Sequence, residues 1–334
     1  MRGSDSDLVF ETKFIVEASG RRTRFRARQR QGSPTLALCG NWRGPSTTVV
    51  RISAQSASWC WGAPTAPDRS VLVGFVDPQD FQRASGSLHE RYVRLARESG
   101  VLPAINDLTL EGIPFTSDAT PYLTDGESEN LLRVGDADAA LDPLSSSGVQ
   151  AAIQSALAAG PIVNSLLTPG EDGASALEFW RRRRTLRMAQ HRNWTTQLYA
   201  EAFPHHPTRF WAERCGHAPR LAIAAATSPL PHPDQLIELS TDARLIWAPC
   251  LMGPLVKVLE CVDHASLAEP VAFVAGVHVS PLLRCLSTPM LARNVLAMWS
   301  ASLQPSAAYS LLAWAWRQGI LRGVYDGQGV TEPA

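Results

Sequence analysis

The stretch that decides the fold runs from Arg133 to Gly160 and reads RVGDADAALDPLSSSGVQAAIQSALAAG. It follows the apolar run NLLRVG and finishes with apolar and small residues at helical spacing. Asp, Pro, Ser and Gly residues, which favour turns and helix starts, lie between these two parts. The stretch therefore predicts a buried strand, a turn over 142–148 and a helix over about 148–159.

The residues of this turn suit a ligand. Pro143 fixes the direction of the chain, and the serines at 145–147 supply capping hydroxyls. Gly160 and Pro161 are expected to end the helix. Free N–H groups at a helix start favour negative charge in front of them, and Asp136 offers a carboxylate to a hydroxyl or N–H donor. The alternative is a plain strand–turn–helix in which Asp136 caps a turn.

The same stretch resembles the second flavin-binding motif of the FAD-dependent aromatic hydroxylase and flavin-dependent halogenase superfamily. In that motif Gly-Asp-Ala and a spacer precede Asp-Pro-Leu, and Ser-x-Gly then opens a helix. The resemblance implies that FAD is the cofactor, that Asp136 binds the ribityl hydroxyls and that residues 143–149 face the isoalloxazine ring. The cofactor-binding residues that it implies within the motif are Gly135, Asp136, Pro143, Ser147, Gly148 and Val149.

Asp138 departs from the motif, because it stands where the superfamily usually has a small residue. A second carboxylate that points towards a flavin is expected to oppose the anionic reduced ring.

Two further stretches resemble the same superfamily. FIVEASGRR (14–22) resembles a strand followed by Ala-Ser/Thr-Gly-Arg close to the cofactor, which adds Gly20 and Arg21 to the implied cofactor-binding residues. WCWGAP (59–64) resembles the halogenase motif Trp-x-Trp-x-Ile-Pro, with Ala63 in place of Ile. This second resemblance implies that the substrate is lined by Trp59, Trp61 and Pro64.

The two tryptophans of WCWGAP lie two residues apart on a predicted strand, so their side chains are expected to face the same side. Core packing is the alternative to a role in lining a substrate tunnel.

The resemblance implies an α/β fold with an α+β mixture, namely the C-terminal part of a para-hydroxybenzoate-hydroxylase-like flavoprotein fold. It has an antiparallel substrate sheet and a mostly helical C-terminal region. We expect a partial FAD-binding domain at 1–168, with the sheet inserted at about 30–120, and a helical or mixed domain at 169–334. The predicted linker is PGEDGASA (169–176). The later sequence resembles the flavoprotein maturases of tryptophylquinone enzymes more than the best-known halogenases.

Composition and the spacing of apolar residues also predict the remaining strands and helices. β-Rich segments separated by turn residues predict strands at 14–16, 47–54, 58–64, 70–76, 236–240, 244–249 and 271–277. Helical spacing predicts helices at about 88–97, 177–203, 290–303 and 307–318. The first is expected to bury Leu88, Tyr92 and Leu95. The inner face expected for the long helix comprises Phe179, Leu186, Ala189, Trp194, Leu198 and Ala202.

The superfamily's first motif is a strand, a Gly-x-Gly-x-x-Gly turn and a helix that together hold the FAD pyrophosphate. The best match, GQGVTE (327–332), has only two of the glycines. On the order of a hundred residues of the flavin domain are therefore expected to be absent ahead of the matched region. The catalytic Lys of halogenases belongs to that part, so no catalytic residue is assigned here.

Composition excludes several classes of function. Net charge is +0, which disfavours binding to nucleic acid or to an anionic membrane surface. No apolar run reaches the length of a membrane span, and MRGSDSDLVFETK has no signal-peptide core. The six cysteines form no CxxC pair, which favours reduced thiols and a cytoplasmic location over disulfides or zinc.

Two charged clusters are interpreted as surface features. WRRRRTLR (180–187) is expected to be a solvated helix face, with binding of phosphate or an acidic protein as the alternative. His205 and His206, with His191 and His217 nearby, match no metal-ligand spacing. We interpret them as surface histidines and expect no metal.

Two hypotheses of function follow. The first is an FAD-dependent, monooxygenase-like oxidoreductase that acts on an aromatic, indole-type group of a small molecule or a peptide, with a flavin reductase as partner. Within it, hydroxylation and halogenation remain alternatives. The second is a non-catalytic, truncated remnant that acts as a binding module.

Overall fold

The computed structural model describes residues 11–22, 28–45, 48–128, 130–216 and 230–324. The chain divides into two compact units, one formed by 1–160 with 183–221 and the other by 161–182 with 222–334. His217 and the segment GQGVTE lie outside the described residues, as does most of MRGSDSDLVFETK.

The first unit holds eleven strands among its described residues. They are β1 (Ile15–Glu17), β2 (Gln29–Arg30), β3 (Leu36–Arg43), β4 (Arg51–Gln55), β5 (Ser58–Ala66), β6 (Arg69–Val76), β7 (Thr109–Asp118), β8 (Tyr122–Leu123), β9 (Glu127–Ser128), β10 (Leu131–Arg133) and β11 (Ala139–Ala140). Its helices, of which the third and fourth continue into the second unit, are α1 (Pro78–Arg83), α2 (Leu88–Ser99), α3 (Gly148–Leu167), α4 (Gly173–Ala202) and α5 (Arg209–Cys215).

Strands β1 and β10 form a parallel pair, with Ile15 opposite Leu131, although more than a hundred residues separate them in the sequence. β9 adds to β10 in antiparallel orientation, and a second small sheet has the order β11-β8-β2. Since both strands of a parallel pair end at the same edge, the segments after Glu17 and Arg133 emerge side by side. This pairing brings two of the sequence motifs together.

A five-stranded antiparallel sheet of order β4-β5-β6-β3-β7 occupies the expected region of the sequence. One face is covered by α2, which starts with a capping box between Ser87 and Glu90. Tyr92 of α2 is fully buried, and its hydroxyl receives a hydrogen bond from Trp42 Nε1 (3.0 Å). Leu88 and Leu95 pack around the same core, so the predicted inner face of this helix is confirmed.

Helix α3 is longer than predicted, because it continues through Gly160 and Pro161 to Leu167. A proline inside a helix leaves the carbonyl four residues earlier, here that of Leu157, without its N–H partner. Leu157 is 72% exposed, so water can bind that carbonyl. Buried side chains on both sides of the proline, Ala159 and Ile162, stabilise the continued helix.

Helix α4 buries Phe179 as expected, but the rest of its buried face differs from the predicted one. Trp194, predicted to face inwards, is 47% exposed. The side chains that are buried recur at helical spacing and include polar ones: Ala176, Trp180, Arg184, Met188, His191, Thr195 and Tyr199. The inner face was misjudged because apolar character alone does not mark arginine or histidine as buried.

The arginine run at the start of α4 is not a solvated face. Arg184 is buried, and Arg182 donates a hydrogen bond to the carbonyl of Pro249 (2.7 Å). The hydrogen-bond partners of Arg182 and Arg184 lie 67 and 46 residues away in the sequence, which a local charge pattern does not reveal.

Besides the parts of α3 and α4 that continue into it, the second unit combines short sheets with three further helices among its described residues. The strands are β12 (Leu236–Leu239), β13 (Arg244–Met252), β14 (Leu255–Asp263), β15 (Phe273–Val274), β16 (Val277–His278), β17 (Met290–Leu291) and β18 (Leu321–Gly323). The helices are α6 (Ser280–Arg284), α7 (Ala292–Ser300) and α8 (Pro305–Arg317). The core of this unit surrounds the fully buried Trp299. Residues 271–277 form a tight hairpin and not one strand, since Ala275 and Gly276 both have positive φ.

Among the described residues, no helix combines the length and apolar character needed to cross a bilayer. All six cysteines are free.

Candidate functional site

The predicted strand–turn–helix is present, and it brings α3 close to the end of β10. Gly135 has a φ of +57°, which favours glycine, and a Cβ there would lie 3.2 Å from that of Ala152. Its N–H donates to Ser155 Oγ (2.9 Å), which anchors the turn to the helix. A larger residue at 135 would push the helix away.

Asp136 and Arg21, predicted to lie near one cofactor, form an ion pair. Arg21 Nε lies 3.3 Å from Asp136 Oδ2, and both side chains are partly exposed. Arg21 also donates to the carbonyl of Asp118 (2.8 Å), and the Tyr122 hydroxyl donates to the Asp136 carbonyl (2.6 Å). The motifs that follow β1 and β10 are thus joined into one site.

A cavity of about 610 Å³ opens between these motifs and the start of α3. It is lined by Ala18, Gly20, Val134, Gly135, Asp136, Gly148, Val149, Ala152, Ile153 and Ala156. Most of these side chains are small, which leaves room for a flat or extended ligand beside the backbone.

The cavity contains five of the eight predicted cofactor-binding residues, namely Gly20, Gly135, Asp136, Gly148 and Val149. Arg21 reaches the site through its ion pair with Asp136. Pro143 and Ser147 are not among the lining residues. The roles of all eight as flavin ligands stay a prediction.

An apolar surface flanks the cavity. On α3, Val149 is 76% exposed, and Ile153 and Leu157 follow it at helical spacing. On β1, Ile15 and Val16 are also exposed. Exposed apolar side chains gathered in this way mark a contact surface.

Asp138 does not point into the cavity. Both of its carboxylate oxygens lie 2.8 Å from Arg184 Nε, and a second guanidinium nitrogen, Nη2, binds Asp138 and the carbonyl of Thr124 (2.7 Å). Burial raises the pKa of the Asp138 carboxyl, while the hydrogen bonds from Arg184 oppose that shift. The conflict expected between this carboxylate and a reduced flavin therefore does not arise.

The Asp138–Arg184 pair depends on a glycine. Gly126 has a φ of +78°, and a Cβ there would lie 2.2 Å from Arg184 Cζ. Gly112 provides a matched comparison, because its φ is +70° but no atom lies within 4 Å of the position that a Cβ would occupy.

We expect Gly126→Ala to lower the free energy of unfolding by about 2 kcal/mol, since backbone strain adds to displacement of the arginine. Gly112→Ala is expected to cost only the backbone strain, about 1 kcal/mol. Urea unfolding of the two variants tests this. Equal losses would show that Arg184 moves aside freely.

Behind the turn, a buried polar cluster joins it to α4. Asp142 N donates to His191 Nε2 (2.8 Å), and the Tyr199 hydroxyl donates to the Asp142 carboxylate (3.1 Å). His191 is 7% exposed, so its interpretation as a surface histidine is wrong. Burial lowers the pKa of His191 to about 4 and raises that of the Asp142 carboxyl.

The tryptophans of WCWGAP do face the same side of the sheet. Trp59 is 2% exposed and stacks on Phe75 with ring centroids 4.0 Å apart, and the partly buried Trp61 packs against the same core. None of the cavities described here is lined by Trp59, Trp61 or Pro64. A substrate-lining role for these three residues stays a prediction.

An apolar row crosses this face of the sheet through successive cross-strand pairs: Ile52, Trp61, Val73, Cys39 and Phe115. Its two ends, Ile52 and Phe115, are exposed. Directly paired side chains lie in contact, so the row forms a continuous apolar strip.

Sequence reasoning missed Ala152, Ile153 and Ala156 as lining residues and the whole cluster around His191. The small residues at helical spacing on α3 carried a signal for the first group. No local signal marked His191, because its partners lie more than forty residues away. Within the described residues, no group of three or more His, Cys, Asp or Glu side chains is placed to hold a metal.

Comparison with known proteins supports the predicted fold class. A tryptophan 2-halogenase from Chondromyces crocatus is 31% identical over 201 residues, which are 54% of this chain and 37% of that protein. The chain thus spans little more than a third of the length of this curated relative. No family model matches the chain.

Two solved structures superpose on nearly the whole chain. A peptidyl tryptophan dihydroxylase essential for tryptophylquinone cofactor biogenesis has a TM-score of 0.71 at 22% identity, covering 94% of this chain and 71% of its own. The flavin-dependent halogenase CmlS has a TM-score of 0.71 at 15% identity, covering 95% and 69%. The mixed α/β fold with its antiparallel sheet is therefore confirmed.

Proposed function

We propose that the chain takes part in FAD-dependent oxidation of an aromatic, indole-type substrate, because part of it is similar to a tryptophan 2-halogenase and its fold is similar to those of a flavin-dependent halogenase and a peptidyl tryptophan dihydroxylase. The observation that carries the proposal is the cavity in which Gly20, Asp136 and the start of α3 come together. Residues about 115 positions apart converge there, in the order and identity that the superfamily motifs require. We assign flavin binding to a domain at 1–168 and propose a second domain at 169–334.

The residues present fit a flavin. The absence of side chains at Gly20, Gly135 and Gly148 leaves a groove in which a ring system can lie against the backbone. Asp136 is placed to accept hydrogen bonds from ribityl hydroxyls, with Arg21 holding its carboxylate. N–H groups at the start of α3 favour negative charge in front of them.

When bound, FAD would supply the redox chemistry with O2. The chain's own residues would bind and orient the flavin, exclude water on one side and present the substrate. Pro143 and Ser147 shape the turn that precedes α3, and their contact with the ring is part of the proposal.

We assign the substrate to the apolar strip on the five-stranded sheet. Trp61 and the exposed Phe115 offer aromatic contacts with offset or edge-to-face geometry to an indole. Trp59 and Pro64 complete the lining in the proposal. The named activities of the relatives, on tryptophan and on peptidyl tryptophan, favour this substrate class.

Hydroxylation and halogenation both remain within the proposal, because the similar proteins include a tryptophan 2-halogenase and a peptidyl tryptophan dihydroxylase. A flavin reductase remains the proposed source of electrons, and a cytoplasmic location remains proposed from the free thiols. A binding module without catalysis is the alternative.

We expect the 334-residue chain to bind FAD more weakly than about 1 μM, because the sequence lacks the glycine turn that binds the pyrophosphate. A co-expressed or fused polypeptide with a Gly-x-Gly-x-x-Gly strand–turn–helix is expected to restore binding. It would cover the exposed apolar residues Ile15 and Val149.

Absorbance titration with FAD, with and without that polypeptide, tests the proposal. A completed protein that stays colourless would contradict it. Sub-micromolar binding by the 334 residues alone would contradict the need for a glycine turn.

A further inference from the structure

The turn over 142–148 is held from behind by side chains of α4. His191 Nε2 accepts a hydrogen bond from the backbone N–H of Asp142 (2.8 Å). Tyr199, two turns further along the same helix face, donates its hydroxyl to the Asp142 carboxylate (3.1 Å). Helix α4 therefore fixes the first residue of the turn through both its backbone and its side chain.

The rest of the turn is closed by its own hydroxyls. Ser145 Oγ donates to the Asp142 carbonyl (2.9 Å) and lies 2.7 Å from Ser147 Oγ. Ser147 Oγ in turn lies 3.5 Å from His191 Nδ1. Ser146 has a φ of +53°, a conformation that costs a serine free energy and needs support from its surroundings. Contacts with His191 thus occur at both ends of the turn.

These contacts require the neutral imidazole. A backbone amide can only donate, so Nε2 must carry a lone pair and the ring proton must be on Nδ1, towards Ser147. A second proton would set an N–H on Nε2 against the N–H of Asp142. Protonation therefore removes the hydrogen bond that holds the turn.

Protons can reach His191 from a cavity of about 210 Å³ that both His191 and Asp142 line. The titratable and charged groups around it are Asp142 from the turn, Arg192 and Tyr199 from α4, and Glu213 and Arg214 from α5. The pKa of His191 is determined mainly by burial, which lowers it to about 4.

We propose that His191 is a positioning residue, which holds the 142–148 turn in the conformation that presents the start of α3 to the flavin cavity and releases the turn when protonated. The effect of His191 on the cofactor rests on the proposed function, whereas its effect on the turn does not.

The direction of the pH effect follows from the two pKa values. The folded pKa of about 4 lies below the ordinary 6.5, so the open turn binds more protons between these values. The closed turn is fully stable above about pH 6.5 and loses stability as pH falls towards 4. Between pH 7 and pH 5 the opening equilibrium is expected to rise about 20-fold.

Hydrogen exchange on the full chain, followed by mass spectrometry, tests the proposal. Protection factors of peptides from 141–150 are compared with those from β3 and β6 at pH 7 and pH 5. For the unmodified protein we expect the turn alone to lose about 20-fold protection at pH 5. His191→Gln keeps an acceptor for the Asp142 N–H without titrating, so its turn should stay protected at both values. His191→Leu lacks the acceptor, so its turn should be open at both.

His191→Gln also separates the histidine from Asp142, whose burial-raised pKa remains in that variant. If the glutamine variant showed the same loss at pH 5 as the unmodified protein, the proposal would be overturned. Equal protection of the turn at both pH values in the unmodified protein would overturn it as well.

Riboflavin, which carries the ring and the ribityl chain without pyrophosphate, gives a second measurement. Its affinity should follow the turn protection, highest for the unmodified protein and His191→Gln at pH 7. If the turn responds as expected but riboflavin binds to no variant, the positioning role of His191 is supported and the proposed flavin site is contradicted.

Discussion

Replacing Arg184 with methionine is expected to lower the free energy of unfolding by about 3–5 kcal/mol. The guanidinium pairs with both oxygens of Asp138 and with the Thr124 carbonyl, and both charged side chains are buried. Methionine retains most of the volume but leaves the Asp138 carboxylate without its counter-charge in a low-dielectric site. The expected loss of stability therefore reports mainly the free-energy cost of an unpaired buried carboxylate. It reports the net stabilisation by the ion pair to a smaller extent.

Two further variants decide between these contributions. Arg192→Met removes an exposed arginine from the same helix and should change stability by less than about 0.5 kcal/mol. Arg184→Met combined with Asp138→Leu removes both charges of the Arg184–Asp138 pair, so part of the loss should be recovered, although Glu127, whose carboxylate lies 3.7 Å from Arg184 Nη1, still loses that contact. Urea denaturation at pH 7 gives all three values. An Arg184→Met variant as stable as Arg192→Met would refute the buried pair.

The same pair shows what the sequence could and could not predict. Asp138 was recognisable as a departure from a flavin motif, but its partner lies 46 residues away on a helix whose arginines look solvated. The strand–turn–helix itself was predictable, because glycine, proline and helical spacing act locally. The extension of α3 through Pro161 was not, since tertiary packing outweighed the local signal to stop.

The predictable part of the candidate site is likewise its local part. Gly135, Asp136 and Gly148 could be named from one stretch, and Gly20 with Arg21 from another. That these stretches meet depends on the parallel pairing of β1 with β10, which was not predicted. The resemblance implied only that both stretches lie near the cofactor. The cluster of His191 with Asp142 depends on the tertiary position of α4 and was not predictable from either.

In a protein completed with the glycine-turn polypeptide, Asp136→Ala is expected to weaken flavin binding about 10- to 150-fold, the effect of one charge-assisted hydrogen bond of about 1.5–3 kcal/mol. Asp136 lines the cavity, and its removal would leave the ribityl hydroxyls of the proposed complex without this acceptor and Arg21 without its carboxylate partner. Asp107→Ala is the matched control, because Asp107 is an exposed carboxylate of the same unit away from the cavity.

Flavin content after gel filtration and a fluorescence titration with FAD give the comparison. Circular dichroism of both aspartate variants checks that the fold is retained. Arg21→Gln provides an independent approach, because it frees the Asp136 carboxylate without removing it. We expect a smaller loss than for Asp136→Ala, since the acceptor remains but is no longer held in place. If Asp136→Ala retained as much flavin as Asp107→Ala, the carboxylate would not contact the cofactor, and Asp136 would have only the structural role of a residue in a turn.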